Sequence, residues 1–162
     1  ALEGAAQAKI GACQTEAAAL MQAIENGHEA VRAAEPFPDT IEALRDLKRD
    51  HRLAILSNSE PDIIRHTTIR LGVAFDAVVL AYHAECYKPA EGMFHTLLER
   101  IDAAPADVTH IAQSFYHDMR TAKDVGFGRR LWINRYGREG DPAYTPDAEL
   151  KNLSGVRDAL LR

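Results

Sequence analysis

At 162 residues the chain is the size of one domain with a real hydrophobic core. Nineteen Lys and Arg against 24 Asp and Glu leave a formal net charge of −5, with 46% apolar and 27% charged residues. That is ordinary globular composition with no basic excess for a phosphate backbone, so nucleic acid is not expected as a partner. The start, Ala1-Leu2-Glu3, lacks a cationic region followed by an apolar run, and no stretch reaches the roughly 18 uncharged apolar residues of a membrane span. A cytoplasmic protein without membrane contact is expected, with Cys13 and Cys86 as reduced thiols.

The segment before Ala34 is rich in Ala, Gln and Glu, with Leu20, Met21 and Ile24 at helical spacing, and predicts helix. Pro36-Phe37-Pro38-Asp39-Thr40 breaks it, because each proline fixes its own φ and biases its predecessor away from helix. The expected division is therefore a helical unit over 1–35 and an α/β unit over 36–162. Ile41, Leu44 and Leu47 line one face of the next helix. Leu53-Ala54-Ile55-Leu56 reads as a buried parallel strand ending in Ser57-Asn58-Ser59. Ser59 is the expected N-cap of a helix whose buried face carries Ile64 and Leu71 and which Gly72 ends.

The alternation continues with a strand from Ala77 to Leu80, a helix from Glu91 to Ile101 through Phe94, Leu97 and Leu98, and a strand from Thr109 to Ala112. A helix from Met119 to Val125 and a last strand from Arg130 to Asn134 follow. Tyr136 to Pro146 reads as loop, and Leu150, Leu153, Val156 and Leu160 as a short closing helix. Strands alternating with helices predict a parallel sheet covered on both faces.

In such a sheet, polar residues at the carboxyl ends of strands converge on one crevice. Three clusters lie there: Ser57-Asn58, Lys88-Pro89, and Gln113-Ser114-Phe115-Tyr116-His117-Asp118. Each has a plain local reading too, Ser57-Asn58 as a turn and cap and Asp118 as a carboxylate favoured by a helix N-terminus.

Taken in order, Leu53 to Asn58, Tyr87-Lys88-Pro89 with Phe94, Ala112-Gln113-Ser114 through His117-Asp118, and Trp132-Ile133-Asn134-Arg135 resemble the haloacid dehalogenase superfamily of hydrolases, nearest its type II 2-haloacid dehalogenases. The likeness runs from about Pro36 to the C-terminus, and Pro36-Phe37-Pro38-Asp39 is similar to that branch's return from cap to core. The resemblance implies a Rossmannoid three-layer sandwich and a small anionic substrate. It also implies an aspartate nucleophile on the first strand, which forms an ester that water hydrolyses.

By that resemblance Ser57 and Asn58 supply donors for a substrate anion or departing halide. Lys88 is the fixed cation that keeps the nucleophile ionised, and Asp118 the acid that orients Lys88 or the hydrolytic water. Ser114 joins the substrate-binding set. Phosphatases of the superfamily place an aspartate where this chain has Gln113, five residues before Asp118, so that two carboxylates hold Mg²⁺. A neutral amide replaces that ligand poorly, which favours a metal-free dehalogenase, leaves a Mg²⁺-dependent phosphatase as the alternative, and frees Gln113 to bind a substrate oxygen. Phe94 stands where some dehalogenases carry tyrosine, and its local reading, like that of Trp132, is core. His28, His51, His66, His83, His95 and His110 show no metal-ligand spacing, and His117 reads as a surface or capping residue.

The family's first motif, a strand ending in aspartate with Thr four residues later, does not occur before Ser57. The expectation is a sheet incomplete at its first strand, a chain truncated at its start, and a short helical cap remnant over 1–35. The gap would lie between the strands at Leu53 and Thr109. Further sequence of a longer protein, a strand swapped from a second copy in a homodimer, or closure of the sheet would each repair it. A domain without catalysis, kept for binding or assembly, is the third functional reading.

Overall fold

The computed structural model describes residues 21–22, 27, 29–31 and 33–161. The chain divides into two compact units, Ala1–Glu35 and Pro36–Arg162. In the first, the described residues between 21 and 33 are helical. The remainder of the expected helical cap segment lies outside the described residues. Among the described residues no helix is long and apolar enough to cross a membrane.

The second unit is α/β. Helix α1 (Thr40–Leu47) leads to strand β1 (Ala54–Ser57), helix α2 (Pro61–Leu71), strand β2 (Ala77–Leu80), a short α3 (Ala81–Ala84) and α4 (Glu91–Ile101). Strand β3 (Thr109–Ala112) runs into a π-helical turn, Phe115–Met119, continued by α5 (Arg120–Asp124) and β4 (Arg129–Ile133). Strand β5 (Ala148–Leu150) and helix α6 (Val156–Leu160) close the chain. Every strand pair is parallel, β1 with β2 and β3-β4-β5 in that order.

Among the described residues β1 and β3 share no ladder, so the strands form two separate sheets rather than one that has closed up. Burial follows this division. β4, flanked on both sides, is buried over Arg130–Ile133, whereas Ala54 of β1 is exposed and Ile55 and Leu56 are only half-buried. The buried strand expected at Leu53–Leu56 is thus half-exposed, because among the described residues only one of its edges is paired, with β2.

The helices owe their ends to local chemistry. Pro61 occupies the first turn of α2, where its missing N–H is no loss, and Gly72 ends the helix at φ 60°, a conformation that favours glycine. Glu60 rather than Ser59 holds the N-cap position, since the Ser59 N–H is turned back onto Ser57 Oγ at 3.1 Å. The buried residues of α2 are Ile63 and Leu71, with Ile64 half-buried. α4 buries Met93, Phe94, Leu97 and Leu98 against Val79, Ala81, Ala122 and Phe127. A second core joins Leu47, Leu131, Ile133 and Val156. Gly128 stands just before β4, where a Cβ would lie 2.0 Å from Ala106 O, so only glycine fits.

The closing segment differs from its expected single helix. Leu150 ends strand β5, pairing with Ile133, and Leu153 lies in a 3-10 turn before α6. Alternation over three residues is too short to be distinguished from one helical turn by pattern, and the partner β4 decides the outcome.

Asp39 ties the two ends of this unit together. It receives Arg135 through both oxygens at 2.9 and 2.7 Å and the Leu153 N–H at 2.8 Å, while Phe37 lies under the guanidinium 4.0 Å from its ring centroid. The Arg135 hydrogen bonds outweigh desolvation and, with the Leu153 N–H, hold the Asp39 carboxyl down at about 2. A depressed carboxyl contributes stability that is complete above its unfolded value near 4 and lost as pH falls through about 2. Asp39→Asn should therefore cost about 2 kcal/mol at pH 7 in urea unfolding, and the difference from wild type should shrink between about pH 4 and pH 2. A pH-independent difference would deny the ion pair this role.

Candidate active site

Lys88 lies between the two sheets. Its main chain is clamped by Asn58, whose Oδ1 accepts the Lys88 N–H at 2.7 Å and whose Nδ2 donates to Lys88 O at 3.1 Å. Thr121 Oγ1 donates to the next carbonyl, Pro89 O, at 2.8 Å. With its backbone held from β1's end and from α5, Lys88 projects an ammonium that donates to Leu56 O of β1 at 3.1 Å and to Asp118 Oδ1 at 2.7 Å. The side chains of Lys88 and Asp118 are 12% and 4% exposed, so this ion pair is shielded from water and weakly screened by salt.

Asp118 comes from the π-helical turn after β3. Ser114 caps that turn, its Oγ accepting the His117 N–H at 3.2 Å and lying 2.9 Å from His117 Nδ1. A third group meets Asp118: His110, on β3, places Nε2 2.9 Å from the same Oδ1. Burial pushes the Asp118 carboxyl up, but the His110 hydrogen bond and charge, with those of Lys88, outweigh it and hold it below the usual carboxylate value.

The structure thus brings Lys88, Asp118 and the Leu56 carbonyl before Ser57 into one cluster, with Asn58 bonded to the lysine's main chain. The Asn58 amide, expected to face substrate, bonds the Lys88 main chain instead. Ser57 Oγ accepts the Ser59 N–H. The Gln113 side chain is exposed, while its carbonyl accepts Trp132 Nε1 at 3.0 Å. Phe94 and Trp132 are core residues, and His117 is on the surface. A cavity of about 400 Å³ opens beside Asn58 and Ser59, walled by Glu60, Ala81, Tyr82, Glu85 and Tyr87. Lys88 and Asp118 are not among its walls.

His110 is the residue the sequence reading missed. A histidine inside an apolar strand needs a polar partner when buried, and its spacing to Asp118 was the available signal. Among the described residues no three His, Cys, Asp or Glu groups converge, and Asp118 Oδ1 already lies within hydrogen-bond distance of two nitrogens.

Residues 2–126 match the haloacid dehalogenase-like hydrolase family. The chain belongs to that family. The match begins well before Pro36, where the sequence likeness was placed, and ends before the Trp132-Ile133-Asn134-Arg135 strand. Among solved structures, this haloacid dehalogenase-like hydrolase is 30% identical to a HAD phosphatase from Thermococcus onnurineus, with a TM-score of 0.68 over 76% of this chain and 57% of that one. It is 27% identical to a 2-haloacid dehalogenase from Pseudomonas syringae pv. Tomato DC3000, with a TM-score of 0.72 over 81% of this chain and 55% of that one. The L-2-haloacid dehalogenase from Xanthobacter autotrophicus, at 20% identity and a TM-score of 0.74 over 82% of this chain and 64% of that one, shares the fold. The chain therefore spans less than two thirds of the length of these structures. No curated protein matches it.

Proposed function

We propose that this hydrolase acts on short 2-halo carboxylic acids, and that its attacking carboxylate stands on a strand between β1 and β3, contributed by further sequence. The observation that carries the reading is Lys88 Nζ, held between Leu56 O and Asp118 Oδ1 at the junction of the two sheets. The half-buried faces of β1 and the absence of a β1–β3 ladder among the described residues support a place for that strand.

In this reading the carboxylate attacks C2 and the carbon–halogen bond breaks, leaving an ester and a halide ion. Water then adds to the ester carbonyl and Asp118 accepts its proton; the ester C–O bond breaks, that proton passes to the departing oxygen of the 2-hydroxy acid, and the attacking carboxyl releases the remaining water proton to solvent as it is regenerated. Lys88 keeps the nucleophile ionised and offsets the charge that develops. Ser57 and Ser114 hydroxyls, with the exposed Gln113 amide, hold the substrate carboxylate, and Asn58 holds Lys88. A small anionic substrate fits the one fixed cation of this cluster.

The second reading is a phosphatase, favoured by the 30% identity to the Thermococcus onnurineus protein. Gln113 weighs against it, because it removes one carboxylate from the metal's oxygen set. The complete protein, stripped of metal with a chelator, should release chloride from 2-chloropropionate. Turnover of phosphate esters that needs added Mg²⁺, with no chloride released, would replace this assignment by the second.

A further inference from the structure

Asp118 carries two nitrogen donors on a single oxygen. Lys88 Nζ lies 2.7 Å and His110 Nε2 2.9 Å from Oδ1. The carboxyl is held below its usual value, and an ionised carboxylate can only accept. The proton of the second bond must then sit on His110 Nε2. Nothing about the imidazole's place is loose. It hangs from β3 opposite Arg130 of β4, is 8% exposed, and is wedged by Phe94 at 5.4 Å and Phe127 at 5.7 Å between ring centroids. Neither aromatic ring can compete for its N–H as a carboxylate does.

We propose that His110 is a positioning residue: its Nε2–H holds the Asp118 carboxylate, which in turn keeps the Lys88 ammonium against Leu56 O. The inference rests on the proposed function for its purpose, since a lysine placed between the two sheets is what that chemistry uses. Its geometry does not depend on which substrate is turned over. His110 does not touch the reacting atoms. Two donors converging on one oxygen from different elements restrict rotation of the carboxylate about its own bond, which a single ion pair to a flexible lysine would leave free. The core pair Phe94 and Phe127 supplies the rigidity, so the α4 core is linked to the site through one ring.

Nuclear magnetic resonance on this chain, labelled in histidine nitrogen and aspartate carboxyl carbon, tests the proposal. Wild type should show the His110 proton on Nε2. His110→Phe keeps a ring between Phe94 and Phe127 but removes the donor, and the Asp118 carboxyl midpoint should rise by about one pH unit or more. His110→Gln restores an N–H at the Nε2 position and should bring the midpoint back by at least about half of that rise. A proton on Nδ1 alone in wild type, or an unmoved Asp118 midpoint in His110→Phe, would overturn the role. Should His110→Phe fail to fold, the wild-type proton position and His110→Gln still decide the question. A purely structural histidine would lower the melting temperature in both variants without this graded change at Asp118. None of these signals requires turnover, so failure of the dehalogenase reading would leave them intact.

Discussion

On the proposed dehalogenase reading, replacing Lys88 by methionine should lower chloride release about a thousandfold, the scale at which loss of one preorganised charge is felt in a water-excluded site. Lys88→Arg should recover little of this. A guanidinium fork cannot reproduce the single ammonium that donates at once to Leu56 O and Asp118 Oδ1, although its charge is the same. The methionine variant should also be less stable by about 3 kcal/mol in urea unfolding, because it leaves the 4%-exposed Asp118 carboxylate with His110 as its remaining partner in the cluster. A loss of activity below about tenfold would remove Lys88 from the catalytic machinery.

Phe94→Ala should be the most destabilising single core change, at about 3–5 kcal/mol, since Phe94 is fully buried and among the largest buried side chains of the unit. The cavity would open beside Phe127 and His110, whose rings lie 5.8 and 5.4 Å from it. A looser His110 follows from that geometry, so the Asp118 midpoint should rise in Phe94→Ala as it does in His110→Phe, by a smaller amount. Phe94→Leu, which fills most of the space, should cost less and leave Asp118 closer to wild type. If the alanine variant unfolds at the wild-type urea concentration, the α4 core does not carry the unit's stability as its burial implies.

Much of this was legible in the sequence because periodicity and burial agree there. The strands at Ala77–Leu80 and Thr109–Ala112 and the helix Glu91–Ile101 stand where their apolar pattern places them. Lys88 and Asp118 were recognisable because they follow strands in a fixed order. β5 was not, since three residues with Leu150 at the end take their strand character from β4 rather than from their own pattern. Ser59 lost the helix cap to Glu60 because its N–H is taken by the local turn that Ser57 Oγ closes two residues before it. Asn58 turned inward to Lys88, a contact across 30 positions that local sequence does not encode. His110 was discounted for lack of metal spacing, when its partner was a carboxylate eight residues on.

Lys88 and Asp118 join the ends of the two sheets through one buried ion pair. A double-mutant cycle of Lys88→Met and Asp118→Leu, read by urea unfolding, tests it most directly. The account predicts that the two losses fall short of adding by about 2 kcal/mol or more, because each single variant strands the other's charge. Losses that add to within about 0.5 kcal/mol would contradict it.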